Sequence, residues 1–516
     1  MSTTTVRPRP PTAFAERPAD RRAGTSWWRL SPAVAQLAVF LIAVAARVAV
    51  IVRHGALHGN FGYDAGVYFA AGDAFVHGRL PYRDFMLIHP PVEMLVLSPF
   101  AALTRVMSDE SAFTTTILAC TVLGGINAVL VVRVARRMGL GTRRATVAGL
   151  FYALWFGAIG SEFLIKLEPV GNLLFLLGLL AALRVIDGGG ARWAVAAGAA
   201  AGASVSVKIW WIVPVVALVV WLGCRTRSRC TVGQALAGAV GVSVLVDGPF
   251  FAVSPHAMWS SVVVDQVTRG TTSASPLTRL ADLSSITRLT GPLSQSALAV
   301  TSVVLLLAVG WVARRAWTLR AARPAVVLLV VQGVVLLAAP SWFSYYADFV
   351  AVAAALTVGA AAHPGRARPM RLPGAGWALT AAMAAITLTA IASGRSAVRP
   401  FPGSAELTRG ASSARCVLSD SPMGLIELDA LSRSFANGCR NWVDVTGRTY
   451  GSDRSSGRRV DNERWQRDLT AYLRSGDAVI IVRGSGTGLS TSTYREVRRD
   501  GVLVRAGGHV VYRVEP

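Results

Sequence analysis

The stretch GYDAGVYFAAGDAFVHGRLPYRDFMLIHPPVE (Gly62–Glu93) carries four carboxylates (Asp64, Asp73, Asp84 and Glu93), two histidines and two arginines. It follows the first long apolar run of a chain that is otherwise poor in ionisable groups. Of the 516 residues, 53% are hydrophobic and 16% charged, against roughly 25% charged in a soluble domain. Ionisable groups beside a bilayer-length segment are costly and tend to mark function.

Outward from this stretch, the sequence predicts a polytopic membrane protein. A bilayer core of about 30 Å needs about 20 apolar residues in a helix. Eleven spans are read at 31–52, 111–132, 145–160, 169–186, 193–207, 209–223, 232–253, 296–313, 324–340, 345–362 and 374–393. The run PVEMLVLSPFAALTRV (91–106) is short and carries Pro99, so it is read as an interfacial or re-entrant helix. This choice places Arg133, Arg136, Arg137, Arg143, Arg144, Arg225, Arg227, Arg229, Arg314, Arg315, Arg320, Arg323, Arg366, Arg368 and Arg371 in inner loops. The outer loops, longer in total, hold only Arg53, Arg79, Arg83, Arg105, Lys166, Arg269, Arg279 and Arg288. The excess of positive charge inside fixes a cytoplasmic amino terminus and an outer carboxyl terminus.

Three regions result. Residues 1–30, rich in Pro, Arg, Thr and Ala, read as a disordered cytoplasmic tail. Residues 31–394 form the membrane domain, with its outer loop at 53–110. Residues 395–516 alternate strand-like runs (ARCVLSD, DAVIIVRG, GHVVYRVEP) with polar helical stretches and read as a small extracytoplasmic α/β domain. Cys416 and Cys439 lie in this tail and can pair if it is exported; Cys224 and Cys230, around RTRSR, belong to an inner loop.

The net charge of +24 raises nucleic-acid binding as a function. Its arginines sit in short loops between apolar runs, where they set topology and form no basic face, so nucleic acid is excluded as a partner. The run AVIIVRGSGTGLSTSTYREV (478–497) imitates a nucleotide fingerprint, but its third glycine comes one position early, and it is read as a turn. No metal-ligand spacing such as H-E-x-x-H occurs.

The remaining charged residues collect at one membrane face. Asp64, Asp73, Asp84, His89 and Glu93 lie in the first outer loop; Glu162, Lys166 and Glu168 in the next; Lys208, Asp247, Asp265 and Asp348 at outer turns or span ends. A transporter or flippase of a lipid-linked sugar, the alternative class, would be expected to place polar groups near the midplane of two repeated halves. No such repeat is visible. A non-catalytic envelope assembly protein is the third class.

The first outer loop resembles that of the GT-C membrane glycosyltransferases, which include polyprenyl-phosphate-mannose-dependent bacterial mannosyltransferases and protein O-mannosyltransferase-like enzymes. The resemblance rests on Asp64 shortly after the first span and on a G-x-x-P-Y-x-D turn at Gly78, Pro81, Tyr82 and Asp84. It continues with H-P-P at His89, Pro90 and Pro91, and GASVSVKIWW resembles a small-residue span ending in Lys208. The chain departs from the protein-mannosylating members in that Asp64 is followed by Ala65. The resemblance implies an α-helical GT-C-like bundle in a bacterial cell membrane. It implies transfer of a sugar, mannose or arabinose foremost, from a polyprenyl-phosphate carrier to an envelope glycolipid, glycan or protein hydroxyl. Asp64 is then the base, with Asp84 its orienting partner or alternative. Lys208, Arg83 and His89 would steady the leaving phosphate, with Arg279 as a further cation. Tyr63, Tyr68 and Tyr82 would face the sugar, and Glu168 and Asp348 complete the expected binding set. The resemblance allows a divalent cation (Mg2+ or Mn2+) bridging loop carboxylates to the phosphate, and nothing in the sequence requires one.

Overall fold

The computed structural model describes residues 31–53, 59–60, 62–268, 274–362, 375–393, 399–400, 405–449, 459–483 and 488–515. The amino-terminal tail expected at 1–30, Arg269, the loop with Arg366, Arg368 and Arg371, and Gly484 and Gly486 of the fingerprint-like run lie outside the described residues.

The described chain is a helical bundle carrying a small sheet domain near its carboxyl end. The first helix, α1 (Pro32–Val52), starts where the Ser31 side chain accepts a hydrogen bond from the Val34 amide at 3.2 Å and Pro32 supplies a preset first-turn φ. Its face Ala35, Val39, Ala43 and Val50 is buried, while Val34, Leu37 and Leu41 are exposed. One stripe meets the bundle and the other meets lipid. The same division holds at α10 (Arg229–Val253), where Val240, Val244 and Leu245 are exposed.

Among the described residues, nine helical segments are long and apolar enough to cross a membrane: Pro32–Val52, Asp109–Arg137, Leu167–Ile186, Ile209–Thr226, Arg229–Val253, Gln295–Trp317, Arg320–Ala338, Ser344–Ala361 and Ala375–Ala392. Helices span because each satisfies its own backbone groups in lipid. The two other expected spans are present in altered form. The run 145–160 is broken at Trp155, whose backbone is extended (φ −80°, ψ 123°), into α5 (Thr142–Leu154) and α6 (Phe156–Glu162). The run 193–207 is α8 (Ala191–Val205), 15 residues long and packed between α7 (Leu167–Ile186) and α10. A Cβ on Gly198 of α8 would lie 1.8 Å from the Ala235 carbonyl oxygen of α10. Only glycine allows these backbones to approach so closely, the small-residue packing of membrane helices.

The polar stretch Gly62–Glu93 forms α2 (Tyr63–Val76) and a turn, and leads into α3 (Val92–Ala101). At ten residues α3 spans about 15 Å, half of a bilayer core. The Ser206 carbonyl at the end of α8 accepts the Val92 amide at 3.1 Å and fixes where α3 begins.

In the tail, β3 (Val417–Ser419) runs parallel to β4 (Ala478–Ile480), and β6 (His509–Arg513) pairs antiparallel with both β4 and β5 (Val502–Ala506), giving the order β3-β4-β6-β5. Upstream, β1 (Gly59–Asn60) pairs with β2 (Arg399–Pro400) and ties the exit of α1 to the start of the tail. Leu418, Trp465, Leu469, Leu473 and Val479 form a core separate from the bundle's. Cys416 and Cys439 are bridged, with Cα atoms 5.7 Å apart. For their separation of 23 residues, loop-closure entropy gives about 3 kcal/mol of stabilisation. Cys439→Ser is therefore expected to sensitise the tail to trypsin, with the membrane core left intact; equal digestion of both proteins would show the bridge to be dispensable.

The tail docks on the segment between α1 and α4 (Asp109–Arg137). At the start of α4, Asp109 Oδ2 accepts the Leu431 amide at 2.7 Å and the Asp109 amide donates to Asp429 Oδ1 at 2.7 Å. Arg79 donates to the Cys439 carbonyl at 2.6 Å. Gly66 of α2 packs on Met423, leaving 2.8 Å for any added Cβ.

Candidate active site

Gly62, at φ +87°, sets the chain into α2, a backbone geometry that a side chain would strain. Asp64 then lies in the first helical turn, where the helix dipole favours negative charge. Its Oδ2 accepts from Lys166 Nζ at 2.8 Å and from the Tyr345 hydroxyl at 2.6 Å. Lys166 also sits 3.8 Å from the centre of the Tyr345 ring. The Lys166 side chain is 6% exposed and that of Asp64 34%, so the carboxylate is held from behind and open in front.

A second ion pair lies alongside. Lys208 Nζ reaches Glu168 Oε1 at 2.7 Å and stacks over Trp210 and Tyr346, 4.0 and 3.8 Å from their ring centres. Tyr345 and Tyr346 pack edge to face with centres 5.1 Å apart, which joins the two pairs through one aromatic wall. Tyr68 of α2 is buried among them. Burial, reinforced by the charges of Asp64 and Glu168, raises its phenol well above its ordinary range, so it stays protonated as a donor. The His89 ring lies 6.0 Å from that of Tyr68.

Other expected site residues find structural partners. Asp84 Oδ2 accepts the Leu80 amide at 2.8 Å and its carboxylate pairs with Arg83 at 2.8 Å; both side chains are largely solvent-facing. The Arg83 guanidinium holds the Asp84 carboxyl below its usual range. Tyr82, at φ +66°, turns the chain and donates to the His89 carbonyl at 2.7 Å. The G-x-x-P-Y-x-D motif is thus a closed turn that holds the H-P-P segment. Asp84→Asn keeps an acceptor for the Leu80 amide, and any loss of activity is expected to stay within about tenfold, since a surface pair is worth about 1 kcal/mol or less. A loss as deep as that of an Asp64 variant would move Asp84 into the chemistry.

Tyr63 faces the tail. Its hydroxyl donates to Asp444 Oδ1 at 2.8 Å and accepts the Thr446 amide at 2.8 Å, with Arg483 over its ring at 4.4 Å. Asp348 is fully buried, accepting from Ser161 Oγ at 2.5 Å and Asn172 Nδ2 at 2.9 Å. It anchors the 3-10 turn Ser344–Val350 that carries Tyr345. Arg279 donates to the carbonyls of Leu336, Leu337 and Ala339 at 3.2, 3.1 and 2.6 Å and so caps a helix end.

Glu162, Lys166 and Glu168 look like one local cluster in the sequence, yet each turns to a different distant partner. Glu162 closes on Arg47 of α1, Lys166 on Asp64, and Glu168 on Lys208. The Arg47–Glu162 pair is fully buried, and Glu162 Oε1 also accepts from the Tyr152 hydroxyl at 2.7 Å and Asn127 Nδ2 at 3.2 Å. Sequence reasoning missed Arg47, Tyr345, Tyr346 and Trp210, and took Lys166 no further than that cluster. An arginine inside an apolar run was the available signal for Arg47; the aromatic residues at a span end read equally as a headgroup belt.

Glu93 is 2% exposed and neither carboxylate oxygen has a partner among the described residues. It lines an apolar cavity of about 530 Å³ with Thr116, Cys120 and Leu174. Among the described residues no group of three or more His, Cys, Asp or Glu side chains is placed to hold a metal ion.

No family model matches the chain, and no curated protein matches it. Solved structures do. The crystal structure of ArnT from Cupriavidus metallidurans, bound to undecaprenyl phosphate, superposes with a TM-score of 0.59 at 15% identity over 93% of this chain and 99% of that one. The archaeal oligosaccharyltransferase AglB from Archaeoglobus fulgidus, in complex with an inhibitory peptide and a dolichol-phosphate, gives 0.52 at 14% identity over 88% and 70%. The apo form of the Archaeoglobus fulgidus oligosaccharyltransferase gives 0.50 at 13% over 86% and 69%. With its apolar spans, its short helices α2 and α3 and its tail domain, this multi-pass membrane chain has the GT-C-like fold that these solved structures share.

Proposed function

We propose that this chain is an integral membrane glycosyltransferase of the outer face of a bacterial cell membrane. It moves a sugar, mannose or arabinose foremost, from a polyprenyl-phosphate carrier to the hydroxyl of an envelope glycolipid, glycan or protein. The amino terminus lies in the cytoplasm and the tail domain outside. The observation that carries this reading is Asp64, held by Lys166 and Tyr345 yet 34% exposed at its side chain.

A weak alcohol nucleophile needs a base within hydrogen-bond reach as the new bond forms. Asp64 takes that proton. Lys166 and Tyr345 fix the carboxylate in place, so none of its orientation has to be found during the reaction. As the sugar–phosphate bond breaks, charge grows on the departing lipid phosphate, and cations already in position stabilise it. Lys208, close to Glu168 and walled by Trp210 and Tyr346, serves the phosphate once Glu168 yields it, with the exposed Arg83 and the buried His89 as further cations of the Gly62–Glu93 segment. Tyr68 donates to the sugar or the phosphate. The carrier class is taken from the solved structures of the same fold that hold undecaprenyl phosphate or a dolichol-phosphate.

The test is reconstitution into liposomes with radiolabelled polyprenyl-phosphate mannose or arabinose and an envelope extract as acceptor. Label should move to a new product. Lipid crossing between leaflets with no glycosylated product would favour a transporter of the lipid-linked sugar instead.

A further inference from the structure

The far end of the bundle holds a cavity that the proposed transfer does not use. α4, 29 residues long, begins at Asp109 against the tail domain and ends at Arg137, about 42 Å away at 1.5 Å per residue. α7 begins beside Lys166 and likewise runs to this far end, at Ile186. There a cavity of about 550 Å³ is lined by Arg133, Arg136, Arg137, Arg184 and Trp193.

Four guanidinia around one space repel unless something compensates them, and the protein supplies little. Asp187 pairs with Arg137 at 2.8 Å. Arg133 donates to the neutral Gln36 side chain at 2.9 Å, and Arg184 lies 5.8 Å from the Trp193 ring centre. Arg136 makes no ion pair among the described residues. One carboxylate therefore faces four cations. The lining also includes the apolar Leu177 and Leu180 of α7, and Leu177 is exposed. Topology alone asks only that arginines lie in this loop, a condition that Arg143 and Arg144 meet without lining the cavity.

We infer that this cavity binds the phosphate headgroup of an acidic phospholipid in the leaflet opposite the Asp64 site. The guanidinium fork matches phosphate oxygens in pairs, basic pockets between spanning helices take such headgroups, Trp193 suits headgroup depth, and the leucine wall accepts the start of an acyl chain. Four arginines suit a headgroup with two phosphates better than one with a single phosphate.

Purified full-length protein in detergent is titrated with cardiolipin, phosphatidylcholine and inorganic phosphate, while native mass spectrometry counts retained lipid and thermal unfolding reports stabilisation. Cardiolipin should be retained and should raise Tm, whereas phosphatidylcholine should do neither. Arg133→Gln/Arg136→Gln should weaken cardiolipin binding about thirtyfold, at about 1 kcal/mol for each cation removed. Arg143→Gln/Arg144→Gln is the control for loop charge and should bind as the wild type does. Should the first double variant misfold, Arg184→Gln alone must show a smaller loss in the same direction. Undiminished cardiolipin binding in these cavity variants, or equal retention of phosphatidylcholine, overturns the inference. Inorganic phosphate matching cardiolipin would assign the cavity to a soluble phosphate and overturn the lipid.

Discussion

Asp64→Asn is expected to insert and fold normally and to lose sugar transfer by about 10²- to 10⁴-fold, the usual contribution of a positioned general base. The substitution keeps size and keeps an oxygen that can accept from Lys166 and Tyr345. Removing the charge leaves Lys166, whose side chain is 6% exposed, without its counter-ion, a secondary cost that thermal unfolding would register. Activity is separated from stability by measuring transfer at a temperature where both proteins stay folded. If the loss is catalytic, kcat falls while donor binding, read from retained labelled carrier, is kept. Donor affinity that collapses with kcat unchanged would make Asp64 a binding group.

Arg47→Leu is expected to cost about 3–5 kcal/mol, the penalty for breaking a buried pair and stranding its partner charge. Arg47 donates to Glu162 and, at 2.8 and 3.0 Å, to the carbonyls of Ala43 and Ala153. The Ala153 contact lies two residues before the break at Trp155, so the pair ties α1 to the point where α5 gives way to α6. The same network reaches Asp348 through Asn172, whose Nδ2 donates to the Tyr152 hydroxyl at 3.2 Å and to Asp348 Oδ1 at 2.9 Å. Loss of Arg47 should therefore lower yield and Tm and also loosen the segment that carries Tyr345. Restoring an uncharged site with Arg47→Leu/Glu162→Leu should recover much of the stability, because an apolar replacement of both partners is often neutral. A single variant as stable as wild type would show that the pair is not what holds α1 to α6.

What the sequence made legible follows from locality. The spans are visible because only a helix satisfies its backbone in lipid, and about 20 apolar residues mark each one. The turn at 78–85 is equally local: Asp84 closes on Leu80, four residues away. A motif that shapes a turn and a motif that does chemistry share one sequence signature, and Asp84 sits in such a turn. Asp64 was singled out by resemblance, but its partners were not, for Lys166 is 102 residues away and Tyr345 is 281. Nor could charge counting separate Glu162, Lys166 and Glu168. The residues between α6 and α7 turn the three side chains in different directions, and hydropathy carries no record of that turn. Arg47 was hidden by its own apolar neighbours.

The most direct test of the account is where a donor's phosphate lands. A polyprenyl phosphate bearing a photoreactive group next to its phosphate is bound to the purified protein, crosslinked, and the labelled peptides are sequenced. The account predicts label on the peptides that contain Asp64, Lys166, Lys208 or Tyr345, competed away by unlabelled carrier. Competable label confined to other peptides would contradict it.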